Sequence, residues 1–588
     1  MRLQFSLALL CLLLSTCIQA QEVTVESVKA DSSYIVEDSL LIKTSDGAYV
    51  SALMVRKRNA SEPLPVILQF TIYARLTDIR KVKLAADKGY VGVMAYTRGK
   101  RYSATTEVLA YEYDGRDAYD VIDWISKQSW CNGKVGMMGG SYNGFTQWAS
   151  AKKLHPALKT IVPSAAVAPG LDVPMMNNVV MSFPFSWVYY VSNNKFLDEK
   201  DYRDNKWSEM QQKWFELGTA YPTIDSIIGK PANTMFRRWL KHPAYDAYWQ
   251  NMIPYKNDFA QITIPVFTTT GYYDGGQVGA LYYMREHLKY NPKAEHYLLI
   301  GPYGHFGSQG FPDSVFAGYK IDPVANVPIH AIIYEWFDYI LKGAARPGFL
   351  KDKINYQPMG SNEWKHASSL QAVASDAIRL YLDNREGGLL TQVMPGKPGY
   401  SSLEIDFKNR TERHSYYYVN NVIYDSLFSR GGLMFKSEPL KESMELSGNF
   451  TGNMSVTINK KDMDYSIALF EEMPDGKYFY LSYFMGRASY ATDNTKRKLL
   501  VPGKKTCLPF TNSYFTSRKL SKGSRIVIIV NINKSPFEQI NYGTGKNVNE
   551  ETIQDAGEPL KIKWHNDGFI DLPVSYNNSP TIKQPTYA

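Results

Sequence analysis

The chain has 588 residues, 44% of them hydrophobic and 21% charged, so it can bury a sizeable core. That composition excludes global disorder, collagen-like repeats and low-complexity classes, and the length suggests about two to four domains. A net charge of +9 is spread thinly, with no dense Lys/Arg run between aromatics, which argues against a nucleic-acid partner.

Met1–Ala20 reads as a secretory signal peptide. Arg2 is its positive start, Leu7–Leu14 is an apolar run too short to span a membrane, and Ala20 offers a small residue at the cleavage position. Leu14-Ser15-Thr16-Cys17 is similar to a bacterial lipoprotein signal, although Thr16 stands where Gly, Ala or Ser is usual. The expectation is a secreted or periplasmic protein, with lipidation at Cys17 as the minority alternative. No later stretch reaches transmembrane length. Beyond the signal only Cys131 and Cys507 remain, far apart and with no C-x-x-C pair, so neither a disulfide framework nor a cysteine metal site is expected.

From about residue 23 to 159 strand and helix signals alternate. Tyr49–Arg56 alternates like a strand, while Pro65–Ile72 and Tyr90–Tyr96 are near-continuous apolar runs, as for strands buried on both faces. Gly115–Ser126 has helical spacing; Lys134–Met138 is a short strand and Gly144–Lys153 a helix. Residues 172–257 lose the strand signals and carry Trp, Tyr, Met and Phe at helical spacing, which predicts a helical insertion. Alternation resumes with the strand Ile264–Thr270, the helix Val278–Lys289, the strand Ala294–Ile300 and the helix Ile329–Leu341. This pattern predicts a parallel sheet covered by helices on both faces. From about Pro347 short alternating runs take over, among them Ala377–Leu382, Tyr465–Phe470 and Arg525–Ile532, which predicts an all-β sandwich or jelly roll.

The chemistry concentrates in four segments. Gly139-Gly140-Ser141-Tyr142-Asn143-Gly144 joins a strand to a helix. A turn that tight needs small neighbours and lifts the serine hydroxyl to the top of the sheet, although the second glycine comes one place later than in G-x-S-x-G. Serine needs a base, usually His held by a carboxylate, and α/β-hydrolases present them in the order Ser, acid, His. Of nine His, His305 stands out: it follows the strand Tyr297–Ile300 and the loop Gly301–Gly304, and sites of open α/β sheets lie at strand C-termini. Asp274 closes the preceding strand segment through Gly271-Tyr272-Tyr273 and is the candidate acid. Tyr73 follows the strand Pro65–Ile72, where an oxyanion donor sits; its hydroxyl would act with the backbone N–H of Tyr142.

Together Tyr73, GGSYNG, GYYDGG and GPYGH resemble the X-Pro dipeptidyl-peptidase and cocaine-esterase family of serine hydrolases, which includes glutaryl-cephalosporin acylases and α-amino-acid ester hydrolases. Asp114-Gly115-Arg116-Asp117, Trp130–Gly136, His242-Pro243-Ala244-Tyr245-Asp246, Asp462-Met463-Asp464 and Pro474-Asp475-Gly476-Lys477 agree with it. The resemblance implies an α/β-hydrolase domain (21–170 and 258–346), a helical cap inserted at 171–257 and a C-terminal jelly roll at 347–588, after the signal peptide 1–20. It also strengthens Tyr73 as the oxyanion hydroxyl.

The expected function is hydrolysis of an ester or amide through Ser141, Asp274 and His305, with an acyl-enzyme and no metal or organic cofactor. Its partner would be a small ester, amide or short peptide. In the α-amino-acid ester hydrolases a carboxylate cluster binds the substrate ammonium; here Gly276 and Gln277 occupy two of those places, and no acid stands near Met175, although Asp172 is close. An X-Pro dipeptidyl-peptidase is the second expectation, lowered because such enzymes usually carry an extra N-terminal domain and this chain enters the hydrolase sheet almost at once. A non-catalytic jelly-roll protein binding glycans or partners is the third. Relatives assemble into dimers or larger forms, so a homo-oligomer is a further expectation.

Overall fold

The computed structural model describes residues 23–576, apart from 106, 228, 230, 231, 386, 415–419 and 430. The expected signal segment, Cys17 included, lies outside the described residues. Cys131 is buried and Cys507 exposed, both as free thiols.

The first unit is a ten-stranded sheet. Its strands are β1 (Tyr34–Lys43), β2 (Tyr49–Lys57), β3 (Leu64–Thr71), β4 (Val91–Tyr96), β5 (Cys131–Gly140), β6 (Leu158–Ser164), β7 (Val266–Tyr273), β8 (His296–Gly304), β9 (Ile354–Tyr356) and β10 (Lys365–Ala367). The spatial order is β1-β2-β4-β3-β5-β6-β7-β8-β9-β10. Pairing is parallel from β4 to β9 and antiparallel at both margins. All residues of β4 and β8 are buried, which is why their sequences run apolar rather than alternating.

Helices α1 (Ile79–Asp87), α2 (Asp114–Ser126), α3 (Tyr142–Ala151), α4 (Phe183–Ser192), α5 (Gln277–Tyr290) and α6 (Ile329–Lys342) follow in chain order. The strand after β3 lies on one side of it and β5 on the other, so the order of strands reverses at β3. A crevice opens at the C-terminal ends of strands at such a reversal, and Tyr73 and Ser141 follow the two strands that border it.

Between β6 and β7 the chain is mainly helical, built on α4, Lys206–Leu217 and Thr234–Leu240. Its core is aromatic: Phe185 meets Phe236 edge-on at 5.0 Å, and Trp214 meets Tyr221 at 5.0 Å. From Asp376 to Tyr576 the chain forms a jelly roll of fourteen strands, antiparallel except for the pair Leu389–Thr391 with Leu433–Ser437.

The hydrolase sheet does not stop at residue 346. Ile354–Tyr356 pairs with β8 and Lys365–Ala367 pairs with Ile354–Tyr356, so both belong to the first sheet rather than to the jelly roll. Three-residue strands are too short to show a period, so the sequence pattern marks the change of territory too early. His366 lies on β10, where its Nδ1 is 2.8 Å from Asn355 Oδ1. Likewise Gly301–Gly304, expected as loop, continues β8.

Three fastenings join the end of β7 to what lies beyond the sheet. Tyr272 donates its hydroxyl to the Gln357 carbonyl (2.8 Å) and Tyr273 to the Tyr480 carbonyl (3.0 Å). Gln277 copies a strand ladder with its side chain, donating to the Phe515 carbonyl (2.9 Å) and accepting the Phe515 N–H (2.7 Å).

Candidate active site

Ser141 sits between β5 and α3 with φ 61° and ψ −120°. A non-glycine residue there costs about 1–3 kcal/mol, so the surroundings must hold it. Its N–H donates to the Ser164 carbonyl (2.9 Å), and its own carbonyl accepts the N–H groups of Gly144 (2.9 Å) and Phe145 (3.1 Å). A Cβ at Gly139 would lie 2.6 Å from Asn143 Cβ, and one at Gly144 would lie 2.7 Å from Ala166 Cα. This explains the displaced second glycine: the close crossing with the β6 exit occurs at position 144, not at 143.

The histidine loop reaches this elbow. A Cβ at Gly140 would fall 2.1 Å from the Gln309 side chain, and Gln309 donates to the His305 carbonyl (2.7 Å). Thr269 on β7 donates to the Ser308 carbonyl (2.6 Å), which ties the loop to the neighbouring strand. His305 Nδ1 lies 2.7 Å from Asp274 Oδ1, with the imidazole about 30% exposed and the carboxylate fully buried. Asp274 also accepts the Thr270 hydroxyl (2.7 Å) and the Gly276 N–H (2.8 Å). Its orientation is therefore fixed before it meets the histidine.

On the opposite lip, Tyr73 receives the indole N–H of Trp187 on its hydroxyl oxygen at 3.1 Å. Burial pushes the Tyr73 phenol pKa up, while hydrogen bonds to Trp187 and Ser141 act against that shift. The structure thus brings Tyr73 to Ser141 and Asp274 to His305. Tyr142 begins α3, where a backbone N–H has no acceptor within the helix. The Tyr142 side chain is not part of the cleft: its ring is buried and its hydroxyl donates to Asp114 Oδ2 (2.7 Å).

Comparison with known proteins decides the family. Residues 46–307 match the family described as "X-Pro dipeptidyl-peptidase (S15 family)", and residues 353–566 match "X-Pro dipeptidyl-peptidase C-terminal non-catalytic domain". The chain belongs to the X-Pro dipeptidyl-peptidase family. It is similar to the cocaine esterase of Rhodococcus sp. (strain MB1 Bresler), 23% identical over 89% of this chain and 95% of that protein. Two solved structures share the fold. One is an α-amino acid ester hydrolase, with TM-score 0.74, 20% identity, and coverage of 95% of this chain and 99% of the other. The other is an aminopeptidase from a marine sediment archaeon, Thaumarchaeota archaeon, with TM-score 0.74, 18% identity, and coverage of 92% and 97%. Like these relatives, this member of the family is a hydrolase.

Several family-like segments hold structure rather than chemistry. In DGRD, Asp114 binds Thr97 (2.6 Å) and Tyr142, and Asp117 pairs with Arg98. In DMD, Asp462 takes Ser489 and Arg497, and Asp464 takes Arg487 through two 2.8 Å contacts. Asp172 accepts the N–H groups of Ala168 (2.8 Å) and Gly279 (2.9 Å) and is buried, so it is a clamp and offers nothing to a substrate ammonium. Gln277 is spent on Phe515. Sequence reading passed over Thr270, Gln309 and Trp187; none of them stands in a motif, and only the fold makes each a neighbour of the site.

Proposed function

We propose that this family member is an acyl esterase or amidase using Ser141 as nucleophile, His305 as base and Asp274 as orienting acid. The observation that carries this reading is the buried Asp274 carboxylate holding His305 Nδ1 at 2.7 Å, in a loop packed against the strained serine elbow. With Nδ1 so engaged, Nε2 is the basic nitrogen. It takes the Ser141 proton as Oγ attacks the acyl carbon, and the carbonyl electron pair moves onto oxygen. The Tyr142 N–H and the Tyr73 hydroxyl hold that oxyanion. His305 then gives its proton to the leaving alkoxide or amine, and water repeats the cycle to release the acid.

Support for the second reading, cleavage of X-Pro dipeptides, comes from the family itself and from the Xaa-Pro dipeptidyl-peptidase of Lactobacillus delbrueckii subsp. lactis, 27% identical over 110 residues. The commitments of Asp172 and Gln277 favour a substrate without a free ammonium. A fluorophosphonate probe should label the wild type and spare Ser141→Ala. In a paired assay the ester should turn over faster than an Ala-Pro anilide; the reverse ranking selects the peptidase, and an unlabelled folded wild type sinks both.

We also propose export, on the strength of Met1–Ala20. N-terminal sequencing of the processed protein should begin at Gln21; a lipid-blocked Cys17 would mean an anchored form, and retention of Met1 would refute cleavage.

A further inference from the structure

Trp187 lies in the middle of the cap helix α4, far in sequence from every residue of the site. It is 9% exposed. Tyr111 stacks on the indole at 5.9 Å and 17°, and Trp239 stacks on it at 6.2 Å and 22°. Tyr111 is itself pinned, since its N–H donates to the Tyr142 hydroxyl at 3.0 Å. Held by these rings, the indole cannot turn, and its N–H meets the Tyr73 oxygen at 3.1 Å.

A phenol carries one proton and accepts through its oxygen, and conjugation with the ring leaves the O–H two orientations near the ring plane, one on either side of the C–O axis. An N–H fixed on one acceptor position leaves the proton to point elsewhere. The Tyr73 ring meets both Trp187 (6.4 Å, 81°) and Tyr142 (6.1 Å, 69°) edge-on, so the ring cannot swing either. Ser141 is the other hydroxyl group that acts on this phenol. Accepting a hydrogen bond also makes the phenol a better donor, because bonded groups polarise one another.

Resting on the reading that Tyr73 serves the oxyanion, we propose that Trp187 is a positioning residue: its indole N–H orients the Tyr73 hydroxyl toward the acyl oxygen of a substrate on Ser141. The cap then supplies part of the transition-state machinery, besides a wall of the cleft.

The test is a cycle of Trp187→Phe, Tyr73→Phe and the double variant, assayed with p-nitrophenyl acetate. Removing one oxyanion donor costs roughly 10²–10³ in kcat, and losing only its orientation should cost about 10-fold or somewhat more. Expected are a lower kcat for Trp187→Phe with KM little changed, and a double variant no slower than Tyr73→Phe. Should Trp187→Phe misfold, replacing Trp187 by 3-benzothienylalanine keeps the bicyclic ring and exchanges only N–H for sulfur. If Tyr73→Phe runs at the wild-type rate, the oxyanion reading itself fails. If Tyr73→Phe is slow but the Trp187 variants keep kcat, raise KM alone or multiply with Tyr73→Phe, then Trp187 merely lines the cleft and the proposal is overturned.

Discussion

Two carboxyl groups buried near the Ser141 turn meet different surroundings. Asp274 faces a hydroxyl, an N–H and an imidazole, whereas Asp114 accepts from the Thr97 and Tyr142 hydroxyls. Burial pushes the Asp114 pKa up to about 7, with those two hydrogen bonds opposing it. The folded state therefore keeps this proton to near pH 7, while the unfolded chain releases it near pH 4. A raised folded pKa contributes stability that is complete below about pH 4 and is lost as pH rises through about 7. The urea midpoint of the wild type, taken relative to Asp114→Asn, should fall between those limits and level off above them. A difference that does not change with pH would show that Asp114 titrates normally.

At the scale of elements, the turn between β5 and α3 illustrates what sequence reveals and what it hides. GGSYNG is legible because glycines flanking a serine between a strand and a helix have few other uses. The reason for Gly144 was not legible: the residue it passes, Ala166, is set by where β6 runs. Asp274 and His305 could be picked out because each follows the C-terminal end of a strand in a legible strand–helix alternation. Trp187 could not, since Phe183–Ser192 is aromatic throughout and periodicity does not say which ring meets Tyr73. Strands β9 and β10 were hidden for a simpler reason, their three-residue length. Gly144→Ala should destabilise the protein by about 1–3 kcal/mol, as overpacking does, and slow fluorophosphonate labelling of the folded fraction. Unchanged melting and labelling would mean that α3 can move away from Ala166 at no cost.

Across the whole molecule, the acid of the proposed triad lies between two of the contacts that bind the jelly roll to the hydrolase sheet, those of Tyr273 and Gln277. Gln277→Ala would leave the buried Phe515 N–H and carbonyl without that partner, at a cost of about 1–3 kcal/mol. The urea midpoint should fall, and limited proteolysis should cut nearer the domain junction. Loss of stability without new cleavage there would mean that other contacts keep the two units together. On the jelly-roll side the acceptors of these two fastenings are main-chain atoms, of Tyr480 and Phe515. Nothing in those bonds depends on which side chains the far side carries. At these two points the jelly roll can change its side chains provided its backbone keeps the same path, whereas the near side must keep a hydroxyl at 273 and an amide at 277. Drift of that kind would fall unevenly on the two sides of these bonds, and a hybrid grafting a distant jelly roll onto this hydrolase domain would need the backbone at Tyr480 and Phe515 to keep its course.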